Sequence, residues 1–295
     1  MGRGASGDYP RSVRVEALGI GVAIALCAGG IDLAVADTHA ISRRSGWPAE
    51  RSAQWVAALH CRPAPTPAAP GLVVVGFTGG REPSSSTRSG VVRAGQAMAE
   101  AARQDPAVVV RLYNNAQWAD AVGDVLGVLQ TRSPGMEPPR IVAYGHSLGA
   151  GSIGRFARSL GRHGQAVDLA VYIDAFGLRN PRVPSNVRHA VNFYQRTGVL
   201  RGLPLRGKRT LIADDPAVTE LLGSYRLSPE TPRFGWNWNL MQPLFYRQHH
   251  RLAHDVRIRQ LLVAIAAASP GDAVTCRQPS LSATSVDASG TAAPR

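Results

Sequence analysis

The stretch Gly145-His146-Ser147-Leu148-Gly149 sets a hydroxyl between two glycines, where the apolar run 140–145 gives way to a helical pattern beginning at Leu148. A serine becomes a nucleophile only when a base takes its proton and an acid orients that base. The spacing has a physical reason. A side chain on a sharp strand-to-helix turn needs small neighbours two residues to either side, so that strand and helix can approach. The start of the helix then points free N–H groups at the place where an oxyanion would form. Gly145 and Gly149 meet the first need, and Ala150 and Gly151 extend the small surface. In a chain with 31 glycines the pattern alone is weak, and the strand–turn–helix setting is what gives it weight. The alternative is a serine that merely caps the helix.

The residues that could serve Ser147 follow along the chain. Asp174 ends the apolar strand pattern 168–174, so its carboxylate is expected at the same edge of the sheet as Ser147. The next strand pattern ends at Gln195, an amide, which favours Asp174 as the acid. Asp214 and Asp215 are runners-up, although "ADDPAV" reads as a helix N-terminus, where acids are expected anyway. His249, His250 and His254 all precede the last helical pattern, and the residues alone leave His249 and His250 open as bases. His146 is expected to pack beside the serine; His163 and His189 lie at the wrong places along the chain. For the oxyanion, one donor is the N–H of Leu148. The second is expected from the turn after the first strand, at Phe77 or Thr78. Gly-rich "GFTGG" is no phosphate cradle, because it lacks the G-x-x-x-x-G-K-[ST] pattern.

These residues need a scaffold, and the apolar pattern predicts one. Strands are expected at 71–77, 107–113, 140–145, 168–174 and 189–195, and helices at 89–104, 116–131 and 148–161. A last helix is expected from Asp255, its N-cap, with Ile258, Leu261, Leu262 and Ile265 on the buried face. Continuously apolar strands separated by helices imply crossover connections and a mostly parallel sheet with helices on both faces, an α/β fold. Residues 196–248 break this rhythm and read as loop, with the aromatic stretch "GWNWNLMQPLFY" at 235–246.

Taken together, the chain from 71 to 268 resembles the α/β-hydrolase superfamily, in particular lipase- and thioesterase-like serine hydrolases with a "GHSLGA" elbow. "GFTGG" is similar to the "HGF-x-G" oxyanion turn of many esterases, with Val75 where that motif carries histidine. "YIDAFG" resembles the strand-end aspartate of bacterial members. "HHRLAHD" matches their histidine loop "H-x-x-[LI]-x-x-D" with His249 as its first residue. The resemblance implies a triad of Ser147, Asp174 and His249, an oxyanion hole of Leu148 and Phe77, and an acyl-enzyme route that needs no metal or organic cofactor. It also implies that 196–248 forms a lid or cap and the approach of the histidine. Trp236, Trp238 and Phe245, with Phe234, Leu240 and Met241, would then line an acyl pocket or simply pack that cap. The expected substrate is a small-molecule or lipid ester. A non-catalytic binding protein on this fold, or an acyltransferase with the same triad, is the competing reading.

Composition bounds the rest. The chain has 295 residues, 44% of them hydrophobic, which suffices for a sizeable core. Its formal net charge of +13 comes almost wholly from scattered arginines, Lys208 being the one lysine. Without a clustered, aromatic-interleaved patch this argues against nucleic acid and leaves contact with anionic membrane or cell-surface polymers open, heavy arginine use with abundant Ala, Gly and Pro being also what a GC-rich genome produces. Arg3, Arg11 and Arg14 precede the apolar run 17–31, and Ala34-Val35-Ala36 follows. That pattern suits a signal peptide over 1–36 and a secreted or periplasmic protein, with an uncleaved membrane anchor as the alternative. Residues 37–70, ending in "RPAPTPAAP", read as an extension and linker, and 269–295 as a flexible tail. Cys27 falls within the apolar run; Cys61 and Cys276 either pair or stay as thiols.

Overall fold

A computed structural model of the chain describes residues 52, 55–56, 71–80, 82–103, 105, 107–131, 138–177, 179–195, 210–227 and 247–267. Cys27, Cys61, Cys276, the expected signal segment and the expected tail lie outside the described residues, as do Phe234, Trp236, Trp238, Leu240, Met241 and Phe245.

Six strands form one parallel sheet. They are β1 (Leu72–Phe77), β2 (Val108–Tyr113), β3 (Arg140–His146), β4 (Val167–Ile173), β6 (Val187–Tyr194) and β8 (Glu220–Arg226), in the spatial order β2-β1-β3-β4-β6-β8. Helices α1 (Gly90–Ala101), α2 (Trp118–Gln130) and α3 (Leu148–Gly161) carry the first crossovers, and α4 (Arg247–Ala253) and α5 (Val256–Ala267) end the described chain. Two further strands, β5 (Arg182–Val183) and β7 (Ile212–Ala213), make a small parallel pair apart from the sheet. This is the α/β architecture expected from the sequence, a parallel sheet with helices on both faces.

The uninterrupted apolar strands follow from burial on both faces. Successive side chains of a strand point to opposite sides. Leu72 and Val74 of β1 therefore join Val91, Met98, Leu261, Leu262 and Ile265 of α1 and α5. Val73, Val75 and Phe77 join Ala121, Val125, Ile153 and Phe156 of α2 and α3 on the other side. Each of these side chains is nearly or wholly withdrawn from water, a contribution of about 1.5–3 kcal/mol for a large aliphatic group.

The chain reverses its direction across the sheet between β1, which leads outward to β2, and β3, which leads the other way to β4. The C-terminal ends of β1 and β3 thus flank the crevice where open α/β sheets bind their ligands.

Three stretches differ from expectation. Residues 220–226, within the loop-like segment, form the edge strand β8. Its residues are exposed or half-buried, so it carries no apolar run, and Gly223 at φ 123 accompanies a register shift against β6. Asp215 does not start a helix. It caps a turn into β8, accepting from Ala217 N–H at 2.9 Å, while Asp214 accepts from Arg182 and Arg158. Finally, the three histidines do not sit on an extended loop: His249 and His250 lie within α4. Asp255 does cap the last helix, accepting from Arg257 N–H at 3.0 Å. Among the described residues no helix is long and apolar enough to cross a membrane.

Candidate active site

Ser147 stands between β3 and α3 with φ 59 and ψ −121. For a residue with a Cβ this region costs about 1–3 kcal/mol and persists only where the surroundings impose it. Here they do. Ser147 N–H donates to Ile173 O at 3.0 Å, and Phe176 N–H donates to Ser147 O at 3.3 Å, tying the turn to the end of β4. The flanking glycines are required by space. A Cβ on Gly145 would lie 2.6 Å from Gly149 O, and one on Gly149 would lie 2.2 Å from Phe77 O. The serine side chain makes no capping bond to α3, so helix capping does not account for it.

Asp174 is the other non-glycine residue with positive φ among the described residues, at 42. Its carboxylate is fully buried. An isolated buried charge is strongly unfavourable, and three donors meet this one. His249 Nδ1–H donates to Oδ2 at 2.7 Å, Gln195 Nε2–H donates to Oδ2 at 3.2 Å, and Gln195 N–H donates to Oδ1 at 3.4 Å. Because a carboxylate only accepts, Nδ1 of His249 carries the hydrogen of this bond; in the neutral ring that leaves Nε2 as the acceptor, the form a general base requires. His249 is itself 4% exposed. Of the two open candidates, His249 contacts Asp174, whereas His250, its exposed neighbour on α4, has its ring 5.8 Å from that of His249.

The remaining histidines have other surroundings. His189 on β6 has Nδ1 at 3.0 Å from Asp168 O and Nε2 at 3.4 Å from Glu220, a structural tie near the sheet edge. His163 sits in the turn after α3. His254 is held below the usual histidine pKa by partial desolvation and by the guanidinium groups of Arg93 and Arg259. His146 packs against the His249 ring.

Of the expected oxyanion donors, Leu148 is the first residue of α3, where helix N–H groups have no partner within the helix. Phe77 is placed differently. It ends β1 and pairs with Tyr113 on one side and Gly145 on the other. Thr78 N–H donates to Tyr113 O at 2.9 Å. Successive N–H groups of a strand point to alternate neighbours, so that of Phe77 lies on the β3 side. β1 thus ends at Phe77, as the expected strand 71–77 does. Gly79, two residues on, lies directly against the site: a Cβ there would come 3.0 Å from both Ser147 Cβ and His146 Nδ1.

Gln195 was legible only as a missing acid, and the structure gives it a role as a double donor to Asp174. Among the described residues, no group of three His, Cys, Asp or Glu side chains could hold a metal ion.

No family model and no curated protein matches the chain. Among solved structures it is similar to a cutinase-like protein from Cryptococcus sp. at 14% identity and TM-score 0.34, covering 68% of this chain and 98% of that one. It is also similar to a Trichoderma reesei cutinase in complex with a phosphonate inhibitor, at 12% identity and TM-score 0.32, covering 80% and 91%. A third is the type II thioesterase BorB from the borrelidin biosynthetic cluster, at 13% identity and TM-score 0.30, covering 52% and 83%.

Proposed function

We propose that the protein is a serine hydrolase that cleaves carboxylic ester or thioester bonds through an acyl-enzyme. The observation that carries this reading is the buried His249–Asp174 hydrogen bond at 2.7 Å, with the His249 ring packed on His146, the residue before a serine held in a strained strand-to-helix turn.

In the mechanism, Ser147 Oγ attacks the carbonyl carbon of the substrate while His249 Nε2 takes its proton. Asp174 accepts from Nδ1–H throughout, holding the imidazole in the right tautomer and stabilising the imidazolium that forms. The developing oxyanion is met by Leu148 N–H and by an N–H of the Gly79–Gly80 turn, each such donor lowering the barrier by about 3–4 kcal/mol. His249 then returns the proton to the departing alcohol or thiol. Water, deprotonated by the same nitrogen, attacks the acyl-enzyme and releases the acid with Ser147 restored. None of these steps calls for a metal or organic cofactor.

An apolar acyl group suits the site. Leu148, next to the nucleophile, leaves its side chain 40% exposed, and the aromatic stretch 235–246 leads directly into the helix of His249. The apolar run 17–31 followed by Ala34-Val35-Ala36 supports export, and the net charge of +13 supports contact with anionic surfaces.

The test is hydrolysis of p-nitrophenyl esters from short to long acyl chains by wild type and Ser147→Ala, with a fluorophosphonate label as a check on the nucleophile. Turnover and labelling of wild type, both lost in the variant, are expected. Folded wild type that does neither overturns the reading.

A further inference from the structure

One buried titratable side chain takes no part in that mechanism. His146 is 2% exposed and ends β3 immediately before Ser147. Its Nε2 lies 3.0 Å from the backbone carbonyl oxygen of His249, and its ring packs on the His249 ring with centroids 4.4 Å apart at 37°. A carbonyl oxygen only accepts, so Nε2 carries the hydrogen and Nδ1 is bare. That bare nitrogen faces Gly79 of the turn after β1. Burial, followed by the neighbouring His249 and His250, holds the ring well below the usual histidine pKa. The ionisable groups facing it are His249 and His250 from α4 and, more weakly, His254 beyond them.

We propose that His146 is a positioning residue for the catalytic base, its Nε2–H anchoring the carbonyl of His249. This inference rests on the hydrolase reading above. Asp174 fixes one ring nitrogen of His249, which alone leaves the ring and its backbone free to shift together. The anchor on the carbonyl removes that freedom, so that acid and backbone tie jointly set where Nε2 points. Neutrality matters equally. When His249 takes the serine proton it becomes a cation, and a second cation stacked on it would oppose that step. A purely space-filling role would be served by any apolar ring, whereas the observed residue spends its one N–H on the backbone of the base.

Two variants separate anchor from filler. His146→Phe keeps a stacked ring and loses the donor; His146→Gln keeps an N–H near the Nε2 position and loses the ring. For the full chain we would measure kcat and KM on a p-nitrophenyl ester, the melting temperature, and the downfield NMR signal of the His249 Nδ1–H. His146→Phe is expected to lower kcat about ten- to hundredfold, the scale of a small misplacement of a catalytic group, with KM within about twofold and the signal lost or broadened. His146→Gln should recover most of both. The proposal is overturned if His146→Phe keeps wild-type kcat and signal, or if both variants lose activity only in step with their melting temperature. The NMR arm is independent of turnover. Should wild type be inert to every ester and to the label, the hydrolase reading falls, while a signal lost in Phe and kept in Gln still supports the anchor and an unchanged signal overturns it.

Discussion

Gly149, in the first turn of α3, rests against the carbonyl of Phe77 at the end of β1, and a Cβ added to it would lie 2.2 Å from that oxygen. The turn at Ser147 is therefore clamped between two strands and a helix, with no room for even a methyl group. Gly149→Ala must push α3 away from β1. The expected result is a loss of about 1–3 kcal/mol and a fall in melting temperature of several degrees, at about 2–4 °C per kcal/mol for a domain of this size. Fluorophosphonate labelling should fall with it, since Ser147 moves with the helix. Thermal melts and labelling rates check both.

The strain at Ser147 predicts a divergence between stability and activity. Both Ser147→Ala and Ser147→Gly remove the proposed nucleophile. Only glycine relaxes at φ 59 and ψ −121, so Ser147→Gly should be more stable than Ser147→Ala by about 1 kcal/mol after its larger unfolded-state entropy is counted. Equal denaturation midpoints for the two variants would show that the turn is unstrained.

Asp174→Asn replaces an acceptor by an amide that can donate, which favours the wrong tautomer of His249. A fall in kcat of about 10⁴ is expected from the comparable substitution in other triads. Gln195→Leu leaves the acid in place and removes the side-chain bond at 3.2 Å. Its effect should be smaller, roughly tenfold in kcat with KM unchanged, because it loosens the acid without altering the proton on Nδ1. Steady-state kinetics of the two variants side by side establish the order.

His146 also makes a prediction for pH. Its folded-state pKa lies well below the usual value, so on acidification the unfolded chain takes up a proton that the native chain refuses. Stability is then fully present above the unfolded-state value near 6.5 and is lost as pH falls below it. His254, shifted the same way but more exposed, adds a lesser share. Denaturant unfolding between pH 7 and 5 should show stability falling with a slope close to one proton from His146, and His146→Phe should flatten it. A slope unchanged in that variant would refute the assignment.

The sheet was legible because both of its faces are covered, which turns β1, β3 and β4 into unbroken apolar runs. The edge strand β8 has no such run, and its bulged pairing with β6 and exposed Glu220, Leu221 and Arg226 left it looking like loop. The Asp174–His249 contact was expected. His250 remained an equal candidate on residue type alone, because only the helical placement of α4 turns one of the adjacent rings inward. The end of β1 at Phe77 was legible, whereas the path of the turn that follows it, with Gly79 against Ser147, was not. Gln195 and His146 carry no signal of their own: an amide at a strand end and a histidine beside a serine acquire meaning only from what the fold sets against them.

His146 and the carbonyl it touches are 103 residues apart in sequence, and Asp174 is 75 residues from its histidine. On the proposed reading, the base therefore joins the serine and the acid only when α4 docks, and the same C-terminal stretch supplies Leu252, Ile258, Leu261, Leu262 and Ile265 to the core beside β1. Completing the site and covering one face of the sheet are a single late step of folding.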